Sequence, residues 1–204
     1  MQESMHPARQ RAGFVFFGLL LAAAGAISDA RAEERLFHLG VYAGKAAEER
    51  MLDILTRYNT GFRDAYLVAL APGMIVREHA RWRQELETQV VKHFGDQDHW
   101  EINAAWLARW MRFPWDHHAD TRFAAGFGLS WASEVPPIEP RAKLDEGESA
   151  RFLGHVIVEW EFAPPGGSDW SVFTRLHHRS NASGLFDGDR GGSNFITLGV
   201  RRRL

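Results

Sequence analysis

The 204-residue chain contains no cysteine, which excludes a disulfide framework, a thiolate metal site and a lipid-modified cysteine behind a leader. Beyond its N-terminal region it has no apolar run near the roughly 20 residues that a transmembrane helix needs. If the chain enters a membrane it must therefore do so as a closed barrel, because lipid cannot satisfy unpaired backbone groups. It also lacks an excess of either charge: 24 Lys and Arg stand against 26 Asp and Glu, a formal net charge of -2. That balance argues against nucleic acid, which calls for a basic face.

The N-terminus is more informative. Arg9 and Arg11 precede an apolar run from Ala12 to Ile27, and Ala30-Arg31-Ala32 supplies small residues for cleavage. This is the layout of a secretory signal peptide, and the run is short for a membrane anchor. Residues 1–32 are expected to direct export, leaving a single domain from Glu33 to Leu204.

Period-two alternation then recurs almost to the last residue. Trp100, Ile102, Ala104, Trp106, Ala108 and Trp110 alternate with Glu101, Asn103, Ala105, Leu107 and Arg109. Phe123, Ala125, Phe127, Leu129 and Trp131 alternate with smaller or polar residues, and Phe152, Val156, Val158, Trp160 and Phe162 oppose His155, Glu159 and Glu161. A soluble sandwich or a lipocalin-like barrel can alternate too, with its greasy face inward. The charged residues in mid-strand and the length of the segments favour an outer-membrane barrel. Trp100 and Trp110 are also spaced for two aromatic girdles roughly 25 Å apart in height.

The pattern predicts an all-β fold, an eight-stranded antiparallel transmembrane β-barrel. The strands are expected at 35–44, 63–71, 80–92, 99–112, 121–132, 149–163, 169–180 and 194–204. With both termini periplasmic, Pro72-Gly73, Pro114 to Asp120 and Pro164 to Ser168 become periplasmic turns. Lys45 to Phe62, Phe94 to Asp98, Ser133 to Glu148 and Asn181 to Ser193 become external loops.

In the seventh strand Trp170, Val172, Thr174 and Leu176 share the lipid-facing side, which continues with His178 and Ser180. These two polar residues stand where apolar ones are expected, near the outer boundary of the bilayer. Two positions apart on one face, their Cα atoms are about 6.5–7 Å apart, and their side chains can hydrogen-bond. This is the minimum for a serine nucleophile with an imidazole base. The bland reading is that both merely mark the strand leaving the bilayer, where polar groups cost little. His177 points inward by parity and reads as an interior polar residue.

His178-Arg179-Ser180-Asn181-Ala182, followed by Gly184-Leu185, a short loop and a last strand to Leu204, resembles the lipid A 3-O-deacylase (PagL) family from about Trp170 onward. The resemblance implies an enzyme of the Gram-negative outer membrane. It would remove an ester-linked 3-hydroxyacyl chain from the lipid A of lipopolysaccharide, without a cofactor. It implies Ser180 as nucleophile, His178 as base and Asn181 as an oxyanion donor. Where the family pattern has its acidic residue this chain has Asn194, the best match for the third member, with Asp187 or Asp189 as alternatives. The end, Arg201-Arg202-Arg203-Leu204, also departs from the aromatic terminus common in the family. By parity Arg201 and Arg203 point inward and Arg202 outward.

The competing reading is a structural barrel that has kept the fold and lost the acid. Pairing with a second copy is left open. No metal centre is expected from His117, His118, His155, His177 and His178, because the first two fall in a turn and the last two face opposite sides of a strand.

Overall fold

The computed structural model of the chain describes residues 36–57, 60–139, 151–180 and 192–204. The expected export segment and Asn181, Asp187 and Asp189 lie outside them. Eight antiparallel strands close into a barrel in sequence order, the last pairing with the first. They are β1 (Phe37–Ala47), β2 (Phe62–Glu78), β3 (Trp82–Gly95), β4 (Trp100–Trp110), β5 (Asp120–Ala132), β6 (Phe152–Ala163), β7 (Trp170–Ser180) and β8 (Gly192–Arg203). Among the described residues no helix is long and apolar enough to cross a membrane.

The alternation sorts side chains inside out relative to a water-soluble barrel. Val41, Leu70, Leu86, Ile102, Phe127, Leu129 and Leu198 are exposed on the outer surface, whereas Glu85, Glu87, Glu101, Arg109, Glu159 and Arg175 are buried within. An apolar exterior of this extent is stable only against lipid, which excludes the lipocalin-like alternative. Aromatic residues gather at both rims. Trp82 and Trp110 meet edge to face with ring centres 4.7 Å apart, and Arg202 lies over Trp170 at 5.4 Å. At the loop end Tyr66 stacks on Phe94 at 5.5 Å.

Burying charge in the lumen is tolerable because, among the described residues, each fully buried guanidinium meets at least one carboxylate. Arg109 donates to both oxygens of Glu85 at 2.9 Å and to Glu159 and Glu161 at 2.7 Å. Arg175 bonds Glu87 at 2.7 and 3.0 Å and Glu159 at 2.6 and 2.8 Å. Arg201 bonds Glu159 at 2.7 Å and also Glu161, as its inward parity requires. The other flank of the lumen is apolar, built from Ala65, Leu67, Ala69, Ala71, Val91, Phe173 and Phe195. Gly199 makes room for this packing, since a Cβ there would lie 2.5 Å from Phe173 Cζ and 2.6 Å from Tyr42 Cβ.

The first hairpin departs from expectation. Pro72 and Gly73 form no turn but pair with Leu39 and His38 inside β2, and the chain turns only after Glu78. Pro72 lacks an N–H, and the β2–β3 ladder omits Ala71 and Pro72 while keeping one register from Leu70↔Val90 to Gly73↔Glu87. A proline can thus sit in a strand where the neighbouring ladder is interrupted. The expected external loop from Lys45 to Phe62 also contains the end of β1 and a seven-residue helix, α1 (Met51–Arg57). The remaining strand ends differ from those expected by three residues or fewer.

Candidate active site

The parity that buries Phe173, Arg175, His177 and Arg179 in the lumen turns His178 and Ser180 to the outer surface. Across the ladders His178 stands between Val156 of β6 and Asn194 of β8, and Ser180 between Gly154 of β6 and Gly192 of β8. Neither lateral neighbour of Ser180 has a side chain. A Cβ at Gly192 would meet the Arg179 carbonyl at 2.3 Å, so glycine is required there.

His178 Nδ1 lies 2.6 Å from Asn194 Oδ1. Asn194 Nδ2 in turn donates to the Glu49 carbonyl at 2.8 Å. This second bond sets the amide with its NH₂ toward Glu49 and its oxygen toward His178. An oxygen can only accept, so Nδ1 carries the imidazole proton and the lone pair is on Nε2, a tautomer assigned by the network. Glu49 reaches Asn194 because Ala47, at the end of β1, is the cross-strand partner of Asn194. The Glu48 N–H donates to the Gly61 carbonyl at 3.1 Å and closes the base of this loop.

On the lumen side of the same strand ends, Arg179 donates to Ser130 Oγ at 2.8 Å and to Glu139 Oε1 at 2.7 Å. Ser193 Oγ also donates to Glu139 Oε1, at 2.9 Å. Glu139, in the loop after β5, thereby ties that loop to β7 and β8. Burial pushes its carboxyl up to about 7, outweighing the opposing pull of Arg179. A folded-state value above the ordinary 4.5 means that the folded barrel holds this proton more tightly than the unfolded chain. The contribution of Glu139 is therefore most favourable below about pH 4.5, declines as pH rises to about 7, and is level above that. Glu139→Gln should remove a decline on the order of 3–4 kcal/mol across this window. Denaturant midpoints with the same pH slope in both proteins would contradict this.

The profile of the lipid A 3-O-deacylase (PagL) family matches residues 65–203. The chain belongs to that family. Among solved structures it is similar to the crystal structure of the outer membrane enzyme PagL, at 12% identity and a TM-score of 0.54 over 82% of this chain and 99% of that one. It also matches Neisserial surface protein A, at 10% identity and a TM-score of 0.49 over 82% and 97% of the two chains. No curated protein matches. At these identities the structural likeness concerns the fold. The protein is thus a lipid A deacylase-like enzyme of the outer membrane.

In this PagL-family barrel the structure hydrogen-bonds two of the residues expected from sequence, His178 and Asn194, and sets Ser180 two residues beyond His178 on the same outward face of β7. The expected oxyanion donor Asn181 and the alternative acids Asp187 and Asp189 lie outside the described residues. Glu49 and Glu139 were not foreseen. Glu49 acts through a backbone carbonyl, which leaves no trace in residue type, and Glu139 reads from sequence as one more charge in a Pro-containing loop.

Proposed function

We propose that the protein hydrolyses an ester-linked 3-hydroxyacyl chain of lipid A in the outer leaflet by a Ser/His mechanism. His178 Nε2 takes the proton of Ser180 Oγ as that oxygen attacks the acyl carbonyl, then returns it to the leaving sugar oxygen. Water hydrolyses the acyl-enzyme in the second half of the cycle. Asn194 orients the imidazole and Asn181 donates to the oxyanion, an interaction worth about 3–4 kcal/mol of barrier in well-formed sites. Gly154 and Gly192, the ladder neighbours of Ser180, add no side chain of their own beside it on the membrane-facing side. In this reading residues 1–32 serve export and the mature chain begins near Glu33.

The observation that carries the proposal is the chain of bonds from Glu49 through Asn194 to His178 Nδ1, which puts the imidazole lone pair on Nε2 of a residue that shares its outward parity with Ser180. The test is expression in a Gram-negative host that lacks such an enzyme, with mass spectrometry of its lipid A. Loss of one 3-hydroxyacyl chain is expected, and an unchanged profile rejects the proposal in favour of a non-catalytic barrel.

Asn194 holds the tautomer but supplies no charge to the imidazolium that forms. Asn194→Asp keeps the acceptor toward His178 and adds that charge while giving up the bond to the Glu49 carbonyl, so kcat should rise by roughly 10-fold, a small part of what a triad carboxylate contributes. Asn194→Leu should lower activity by a similar factor. Equal rates for all three proteins would show that the residue is not coupled to His178 in the reaction.

A further inference from the structure

A second group of chemistry-bearing side chains lies inside the barrel, behind the outward-facing pair. Glu101 of β4, His155 of β6 and His177 of β7 are each completely buried, at 0% exposure, and each offers a ligand atom within 4.8 Å of the others. We infer that these three residues bind one divalent transition-metal ion, with zinc the best chemical match. The site is separate from the Ser/His centre and independent of the proposed deacylation.

Hydrogen-bond directions set the case. Tyr42 Oη donates to Gln89 Oε1 at 2.9 Å. Gln89 is itself oriented, because its Nε2 donates to Glu87 Oε1 at 2.8 Å and its Oε1 also accepts from Asn103 Nδ2 at 2.9 Å. With its proton committed, the Tyr42 oxygen accepts from His177 Nδ1, 3.2 Å away. His177 Nε2 is then the lone-pair nitrogen, and it faces Glu101 Oε1 at 2.9 Å. Two acceptors at that distance repel unless a cation, a proton or a metal ion, lies between them.

His155 indicates which cation. Neither of its ring nitrogens has a hydrogen-bond partner among the described residues, although burying such groups unpaired is unfavourable. Its ring centre is 4.5 Å from that of His177, with the planes at 60°. Two imidazoles on one tetrahedral ion place their ring centres roughly 5 Å apart, with metal–nitrogen and metal–oxygen distances near 2.0–2.1 Å. Seating the ion requires Glu101 and His177 to separate by only about 0.4 Å.

The carboxylate is held for this role. Its Oε2 lies 2.8 Å from His93 Nε2 and its Oε1 accepts from Ser130 Oγ at 3.1 Å. Arg179 Nε is 3.9 Å from Oε2, the oxygen turned away from His177. His93 and His99 also lie within ligand distance of Glu101, but their rings stack in parallel, 4.2 Å apart at 9°. Parallel rings direct their in-plane lone pairs side by side, so this pair does not converge on one ion. Two histidines and a carboxylate with a fourth position open is a zinc donor set.

The test uses the full mature barrel without a histidine tag, stripped of metal and titrated with Zn²⁺ by calorimetry, with heat-modifiable gel mobility reporting the folded state. One equivalent is expected to bind. His155→Ala and Glu101→Gln should each weaken binding at least roughly tenfold. His99→Ala and the His117→Ala/His118→Ala double variant should bind like the wild type. Absence of binding, or a loss confined to the His99 or the His117/His118 variants, overturns the inference. Should the lumen variants fail to fold, zinc-edge X-ray absorption of the wild-type protein decides instead. Two imidazole ligands are expected, and a shell of oxygen ligands alone overturns the site.

Discussion

Ser180→Ala should leave a folded barrel that no longer deacylates lipid A, with the rate lower by at least about 10³. The size of the effect follows from the role. Without the hydroxyl His178 has no nucleophile to activate, and only substrate binding and the oxyanion donor remain to lower the barrier. The fold should tolerate the change, because Ser180 is the last residue of β7 and alanine keeps its backbone pairing with Gly154 and Gly192 while removing a single hydroxyl. Mass spectrometry of lipid A from cells expressing equal amounts of folded wild type and variant measures the effect. A variant that retains activity within about tenfold would remove Ser180 from the mechanism, since loss of a nucleophile costs far more. Loss of activity together with loss of heat-modifiable mobility would instead make Ser180 structural.

Arg109→Leu is expected to be the most damaging of the single lumen substitutions considered for the barrel itself, by about 3–5 kcal/mol. Arg109 is 1% exposed and serves three carboxylates at once. Two of them keep other partners when it is lost: Glu159 retains Arg175 and Arg201, and Glu161 retains Arg122 and Arg201. Glu85 does not fare as well, since its remaining ion-pair contact is Arg83 Nη1 at 4.0 Å. The cost is therefore mainly that of a buried carboxylate left without its bidentate partner. Removing that carboxylate as well should recover much of the loss, because replacing both members of a buried pair by apolar groups is often nearly neutral. Urea titrations of the barrel folded in lipid vesicles, carried through Arg109→Leu, Glu85→Leu and the double variant, measure the coupling. Strictly additive single-variant effects would show that the two side chains do not act as a pair.

How much was legible in the sequence depended on whether a property repeats. Each strand contributes several outward apolar residues, and a one-residue slip would turn them all inward. The outward parity of Trp100 to Trp110, of Phe123 to Trp131 and of His178 with Ser180 was therefore readable from spacing. Breaks in repetition were not. Pro72-Gly73 has the composition of a turn, yet the pairing of β2 with β1 on its other edge carries the strand through it. The loop from Lys45 to Phe62 gave no sign of α1, which has no buried residue and so no apolar stripe demanded by packing.

The site divides along the same line. The amino-acid sequence by itself determined that this protein is an inside-out barrel and that a histidine and a serine interrupt its greasy face, because both follow from residue type and a period of two. Register is a relation between strands distant in sequence, and only the tertiary structure decided it. It set Asn194 opposite His178, brought the Glu49 carbonyl to the Asn194 amide, and gathered Glu101, His155 and His177 from three strands around one point in the lumen.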